Sequence, residues 1–191
     1  MLQSAVLLIP AAVGSSVALR SGSLNLGGEA QLYAPALVTA VLLAHIGGTV
    51  PPAAAFLAAL CAALLTGAVI AAIPGILKVR FAASELLTSF LLSAAILPLL
   101  DYLIAIPLRD PGKNLLATSA IPEAVRIPPI ALPSFFNLSF IPVLVIAVLW
   151  PLFLARTGSG YRLRMTGTAP EFAAYTGIPT GRITVLGMTV S

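Results

Sequence analysis

The sequence predicts an all-α fold, a polytopic transmembrane helix bundle with about five complete spans and the start of a sixth. Three observations carry this. The chain has 191 residues, 59% of them hydrophobic and only 8% charged, whereas soluble domains carry roughly 25% charged residues. The apolar residues come in long blocks, and no Lys, Arg, Asp or Glu lies between Glu29 and Lys78. A helix crosses a bilayer with about 20 residues, so that block holds two spans. The blocks are also apolar on every face. A β-barrel strand would alternate with period two, whereas a helix satisfies its own backbone hydrogen bonds in lipid.

The first span is read over Met1–Leu19. It has no basic leading region, and Arg20 follows the apolar part, so a span fits better than a signal peptide. Arg20–Ser23 is a short polar break. The second span, Leu24–Ile46, opens on "LNLGGEAQ", and the breakers in "GGTVPP" (Gly47–Pro52) mark the turn after it. The third, Ala53–Leu77, is expected to kink at Pro74-Gly75 and is closed by "KVR" (Lys78–Arg80). The fourth, Ala82–Ile106, contains Pro98. Prolines 107, 111, 122, 128, 129 and 133 forbid a long helix over Pro107–Ser134, which reads as a loop. The fifth span is Phe135–Ala155. The apolar run Ile183–Ser191 is too short to cross a bilayer. A sixth span that continues in a longer chain is therefore expected, with residues 1–191 as one partial transmembrane domain.

Alternating spans place Arg20, Lys78, Arg80, Arg156, Arg162, Arg164 and Arg182 on one side. Arg109, Lys113 and Arg126 fall on the other, diluted by Asp110 and Glu123. The excess marks the first side as cytoplasmic and the Pro-rich loop as external. The net charge of +4 comes from these loop cations. No basic run is interleaved with aromatics, so nothing indicates a nucleic-acid surface. The lone Cys61 and lone His45 can build neither an internal disulfide nor a multi-ligand metal site. No metal, no cofactor and no catalytic constellation is read. No glycine-rich run ends in Gly-Lys-Ser/Thr, so the residues present hold no ATP-binding Walker loop.

Between the last two apolar stretches lies "GYRLRMTGTAPEFAAYTGIP" (Gly160–Pro179). Thr168 and Glu171 have capping-box spacing, Pro170 suits a first turn, Gly177 suits a position just past a helix, and Pro179 blocks continuation. These signals predict a helix over Ala169–Thr176. So short a helix is marginal alone, and Phe172 and Tyr175, three apart, share one face. Two readings fit. In one, this is a turn whose aromatics fold back onto the ends of the spans. In the other, it is a docking knob that passes motion from a soluble partner into the bundle.

The same stretch resembles the cytoplasmic coupling segment of permease subunits of bacterial ABC importers. The likeness is to the branch that takes up nucleosides and simple sugars, which is related to the branched-chain amino-acid permeases. The shared pattern is Gly160, Arg164, Gly167, Pro170, Ala173, Ala174, Gly177 and Ile178; Ala169 stands where the family usually has Asn. "ALRSGSLNLGGEAQLY" (Ala18–Tyr33), "SELLTSFLLS" (Ser84–Ser93) and "PLRDPGKNLLATSAIPEAVRIP" (Pro107–Pro128) resemble further family motifs, in the expected order. Ser84 and Ser93 replace common Asn residues. The resemblance implies a multi-pass cell-membrane permease surrounded by lipid. Its partners would be a cytoplasmic ABC ATPase, a second permease subunit and an extracytoplasmic substrate-binding lipoprotein. ATP hydrolysis would lie on the ATPase, and residues 157–181 would form the coupling segment. Within it, Arg164, Gly167, Pro170, Glu171, Phe172, Ala174, Tyr175 and Gly177 would serve coupling.

For a substrate pathway the candidates are Asn25, Glu29, Gln31, Glu85, Ser89 and Ser93. Gly27-Gly28 loosens the head of the second span and Asn25 could cap it, as in the broken helices of transport sites. Glu29 either faces a cavity or sits in the first turn at the interface, where the helix dipole favours it. Glu85 has the same ambiguity. Ser89 and Ser93 either line a polar path or serve close helix packing. Asp101 reads as interfacial. The alternatives to a nucleoside or sugar importer are a branched-chain amino-acid type permease, an ion-coupled carrier working through Glu29 and Glu85, and a non-transporting scaffold.

Overall fold

A computed structural model of the chain describes residues 2–110, 112, 117–127 and 138–191. Lys113, the prolines at 111, 128, 129 and 133, and the predicted start of the fifth span at Phe135 lie outside the described residues, as does Met1. The described residues form eight helices and no strand: α1 (Leu2–Arg20), α2 (Gly28–Ile46), α3 (Pro52–Phe81), α4 (Glu85–Ala105), α5 (Phe140–Arg156), α6 (Gly158–Thr168), α7 (Pro170–Tyr175) and α8 (Thr180–Val190). A single 3-10 turn, Glu123–Val125, lies in the predicted loop. Helices α1 to α5 occupy the five predicted span positions, and α8 contains most of the apolar run Ile183–Ser191. Among the described residues α2, α3 and α4 are each long and apolar enough to cross a membrane, and α5 with α6 passes as a fourth despite a 77° bend. The chain is a multi-pass membrane protein.

The chain divides into two compact units. One comprises residues 26–70 and 89–126. Here α2 lies along α4, with Ala30, Ala34 and Leu37 packed on Leu100 and on Ile70 of α3. The two helices run parallel, because the head of α2 meets the head of α4 at Ser89 and Ser93. Alternating spans two and four require that direction. Alanines at the seam let the backbones approach closely, which is how helices associate where lipid competes with leucine. Large apolar side chains such as Leu64 and Leu65 of α3 stay outward, at no cost in hydrocarbon.

The other unit comprises residues 1–25, 71–88 and 127–191. Val17, Leu154 and Leu163 form its core, joined by Trp150 and Ile183. The Trp150 indole N–H donates to Ser16 Oγ at 2.7 Å and ties α5 to α1. Pro74-Gly75 does not end α3, which continues to Phe81. Pro74 is fully buried. A Cβ on Gly75 would stand 3.0 Å from Met188 Cβ and 3.3 Å from Val185 Cα. The pair therefore forms a packing notch that seats α8 against α3.

The fourth span was expected from Ala82, but α4 begins at Glu85 because Ala82 turns the chain with φ 52°. A side chain in that left-handed region costs about 1–2 kcal/mol. Ala82→Gly is predicted to stabilise the protein by about 0.5–1 kcal/mol, the relief of strain less the extra entropy of the unfolded chain. Thermal unfolding in detergent should show the midpoint rise, and an unchanged or lower midpoint contradicts the assignment.

Candidate functional site

The site grows from the end of α5. Thr157 stops that helix in an extended conformation, φ −108° and ψ 149°. Its hydroxyl donates to Phe153 O at 2.7 Å and accepts from Gly160 N at 3.0 Å. One side chain thus ends α5 and caps α6, the two arranged at 77° to each other. Gly160 makes so tight a turn possible, because a Cβ there would come within 2.6 Å of Leu154 Cα. Helix α6 buries Gly160, Leu163 and Thr166 and leaves Tyr161 and Arg162 exposed.

The predicted capping box is not formed. Thr168 is the last residue of α6, and its hydroxyl donates back to Arg164 O at 2.9 Å. The N-cap of α7 is Ala169, which has no side-chain hydrogen bond to give. Competition for the threonine hydroxyl explains the difference, since a helix that ends on Thr offers its own carbonyl four residues back. Pro170 does occupy the first turn, and Glu171 follows it there. The far end matches the signals closely. Gly177 has φ 82°, its N–H donates to Ala174 O at 3.0 Å, and Ile178 N–H donates to Ala173 O at 2.9 Å. This is a Schellman closure with glycine just past the helix. Within α7 only Ala173 is buried, while Phe172 is 54% and Tyr175 91% exposed. The aromatics do not fold back onto the bundle. Ala174 and Gly177 line an open groove of about 820 Å³ beside the head of α8 and Val79 of α3.

The segment is rooted in the break at Ser21-Gly22-Ser23. Gly22, at φ 75°, lies backbone against backbone on α6, since a Cβ on Gly167 would meet Gly22 N at 2.9 Å. Gly187 of α8 packs on the Ser21 side chain, because a Cβ there would stand 2.6 Å from Ser21 Cβ. From α3, Lys78 Nζ donates to Gly22 O at 2.8 Å and to Ser23 Oγ at 3.0 Å. It also pairs with Glu85 Oε1 at 2.8 Å, with the two side chains 28% and 19% exposed. One ammonium thus joins the α1–α2 turn, the end of α3 and the start of α4. The turn, Lys78 and α6 are the segments that alternation assigns to a single side.

The pathway candidates separate. Glu85 is held by Lys78 in this cluster. The Asn25 amide donates to Ser191 Oγ at 2.6 Å, and the N-cap residue of α2 is Gly27. Capping comes from α4 instead. Ser89 Oγ accepts from Leu26 N at 3.0 Å, and Ser93 Oγ accepts from Ala30 N at 3.4 Å. Both serines are buried and pin the head of α2 onto α4. Glu29 is exposed in the first turn of α2, and Gln31 is half-buried behind it. Sequence reasoning did not single out Ser21, Ser23, Lys78 or Gly187. Gly22, two residues before the predicted start of the second span, was the available signal. It also missed a cavity of about 420 Å³ between α2 and α4, walled in part by Tyr33, Asp101 and Thr118.

The family of the "Branched-chain amino acid transport system / permease component" matches residues 1–191, the full length of the sequence. The chain belongs to this family. Among curated relatives, a probable riboflavin import permease protein of Treponema pallidum is 38% identical over 97% of the chain and 49% of that protein. A glucose ABC transporter permease protein of Haloferax volcanii is 26% identical over 91% of the chain and 48% of that protein. The chain spans about half the length of these curated relatives. No solved structure is a significant match. Within this permease family member, the Lys78 cluster is the feature most open to test. Lys78→Met leaves the Glu85 carboxylate and two turn oxygens without their cation. It is predicted to cost about 1–3 kcal/mol, read as a lower unfolding midpoint in detergent. Glu85→Gln in the Lys78→Met background should cost less than it does alone, by a coupling of at least about 0.5 kcal/mol; strict additivity contradicts the pair.

Proposed function

We propose that the chain is part of the membrane-spanning permease subunit of an ATP-driven ABC importer, and that residues 157–181 receive the stroke of a separate ATPase subunit. The observation that carries this is a two-turn helix held by its small face, with Phe172 and Tyr175 presented outward. An aromatic pair left in water on a helix too short to stand alone suits a partner's groove. The family match and the two relatives named as transport permeases support the same reading. ATP hydrolysis belongs to the partner. A second permease subunit and an extracytoplasmic binding protein complete the machine.

The coupling residues divide by role. Phe172 and Tyr175 make the contact, with Glu171 beside them. Pro170 and Gly177 fix the two ends of α7. Ala174 borders the groove beside α8, Gly167 seats α6 on the Gly22 turn, and Arg164 stands between these two supports. Displacement of α7 reaches α6 and α8 together, because it is bonded to both. In the ground state Ser89 and Ser93 hold the head of α2, and Glu29 and Gln31 stand where a polar solute would pass if that head moved. Glu85, engaged by Lys78, sets the start of α4. An ion-coupled mechanism gains no support from a carboxylate so engaged.

The substrate class is a small polyhydroxylated solute. Nucleosides and simple sugars belong to it, and so does riboflavin, through its ribityl chain. Riboflavin is the first to test, because the 38% relative is named for it. Uptake of riboflavin, a nucleoside and glucose into proteoliposomes holding the complete importer separates the three. Arg164→Glu combined with Gly177→Val is expected to lower uptake about 5–150-fold while ATP hydrolysis continues, the range of a typical coupling energy. A Cβ on Gly177 meets nothing within 4 Å, so that change strains only the turn behind α7. Normal uptake by the double variant contradicts the coupling role, and ATP-driven uptake of none of the three solutes contradicts the substrate class.

A further inference from the structure

We infer that a second groove on α8, distinct from the one bordered by Ala174 and Gly177, is a binding site for an anionic phospholipid, with Arg162 and Arg182 on the headgroup phosphate. The groove holds about 410 Å³ and is walled by α1, α5, α6 and α8. Along its α8 wall, beside Ile183 and Gly187, runs a helical stripe of Arg182, Leu186 and Val190, at the four-residue spacing that keeps side chains on one face. Eight residues at about 1.5 Å each make this stripe roughly 12 Å long. It passes from a charged end to a wholly apolar one, the profile of a headgroup followed by an acyl chain.

The charged end is rich in unmatched cations. Arg162 from α6 and Arg182 from α8 line the same groove, and neither has an ion-pair partner among the described residues. Both side chains are exposed. The apolar wall opposite is built in advance. Trp150 and Phe153 stack with centroids 5.6 Å apart and an interplanar angle of 21°. The Trp150 ring is fixed by its bond to Ser16. Basic pockets between spans on the cytoplasmic side suit anionic headgroups, and alternation puts both arginines on that side.

Charge complementarity and depth favour lipid over other occupants. A free phosphate would satisfy the arginines and leave the apolar length empty. A soluble partner does not reach roughly 12 Å down a membrane helix. Another transmembrane segment would fill the apolar end and leave two cations to be matched. The site stands independently of the importer reading.

Trp150 is the only tryptophan in this sequence, and it gives a direct readout. The full-length permease is reconstituted in phosphatidylcholine bilayers containing brominated phosphatidylglycerol or brominated phosphatidylcholine. Trp150→Phe serves as the blank for any tryptophan elsewhere in the longer chain. Quenching of Trp150 should show a preference for phosphatidylglycerol of about fivefold per arginine, or about thirtyfold for the pair. Arg162→Ala with Arg182→Ala should abolish the preference while quenching by both lipids persists. Equal quenching by the two lipids in the unmodified protein overturns the site. So does quenching by neither, which marks a groove filled by protein, and so does loss of the preference on adding inorganic phosphate, which marks a site for the free anion.

Discussion

The Ser21-Gly22-Ser23 turn is the constraint on which the surrounding unit depends. Three helices converge on these residues, each by a different device. Helix α6 comes in backbone to backbone through Gly167, and α8 lays Gly187 against the Ser21 side chain. Helix α3 sends a lysine that binds a carbonyl, a hydroxyl and a carboxylate at once. Ser21 and Ser23 are each only 2% exposed, so little room exists for another arrangement. An unpaired polar group costs several kcal/mol where water is scarce, and here Lys78 answers two of the turn's oxygens. The proposed coupling segment, residues 157–181, is seated on this turn through Gly167. Helix α7 itself buries only Ala173.

Small residues recur at the joints of this protein for the same reason. Between helices in lipid the hydrophobic effect gives little preference for protein over acyl chain, so contact quality decides. Glycine at 75, 160, 167 and 187 and serine at 89 and 93 each remove bulk where a backbone must come close or an N–H must be met. The two serines cap from a neighbouring helix, which ties the head of α2 to α4. A head held from outside can be released from outside.

Much of the architecture is legible in the sequence because lipid imposes it. Uncharged runs between Glu29 and Lys78 and between Glu85 and Asp101 can be little else than spans. The end of α7 is legible for a local reason, since Gly177 and Pro179 act within one turn. The start is not, because Thr168 had two helices to serve and a single hydroxyl. Pro74-Gly75 is legible only for its own helix. A breaker signal states what a residue does to its own helix and is silent on α8, which fills the notch. The partners of Lys78 are 55 or more residues away on the one side and 7 on the other. No window of sequence shows both, so the centre of the unit stays hidden while its periphery can be read.

The central claim is that α7 faces the cytosol and is gripped there by the ATPase. Thiol labelling tests it most directly. In a Cys61→Ala background, Tyr175→Cys places a thiol on the most exposed residue of α7, and Thr49→Cys places one in the α2–α3 turn as the control. With the complete importer in intact cells, a membrane-impermeant maleimide should label position 49 and leave position 175 untouched. A short bifunctional maleimide applied to inverted vesicles should then join position 175 to the ATPase. Labelling of position 175 from outside the cell, or no cross-link from inside, contradicts the account.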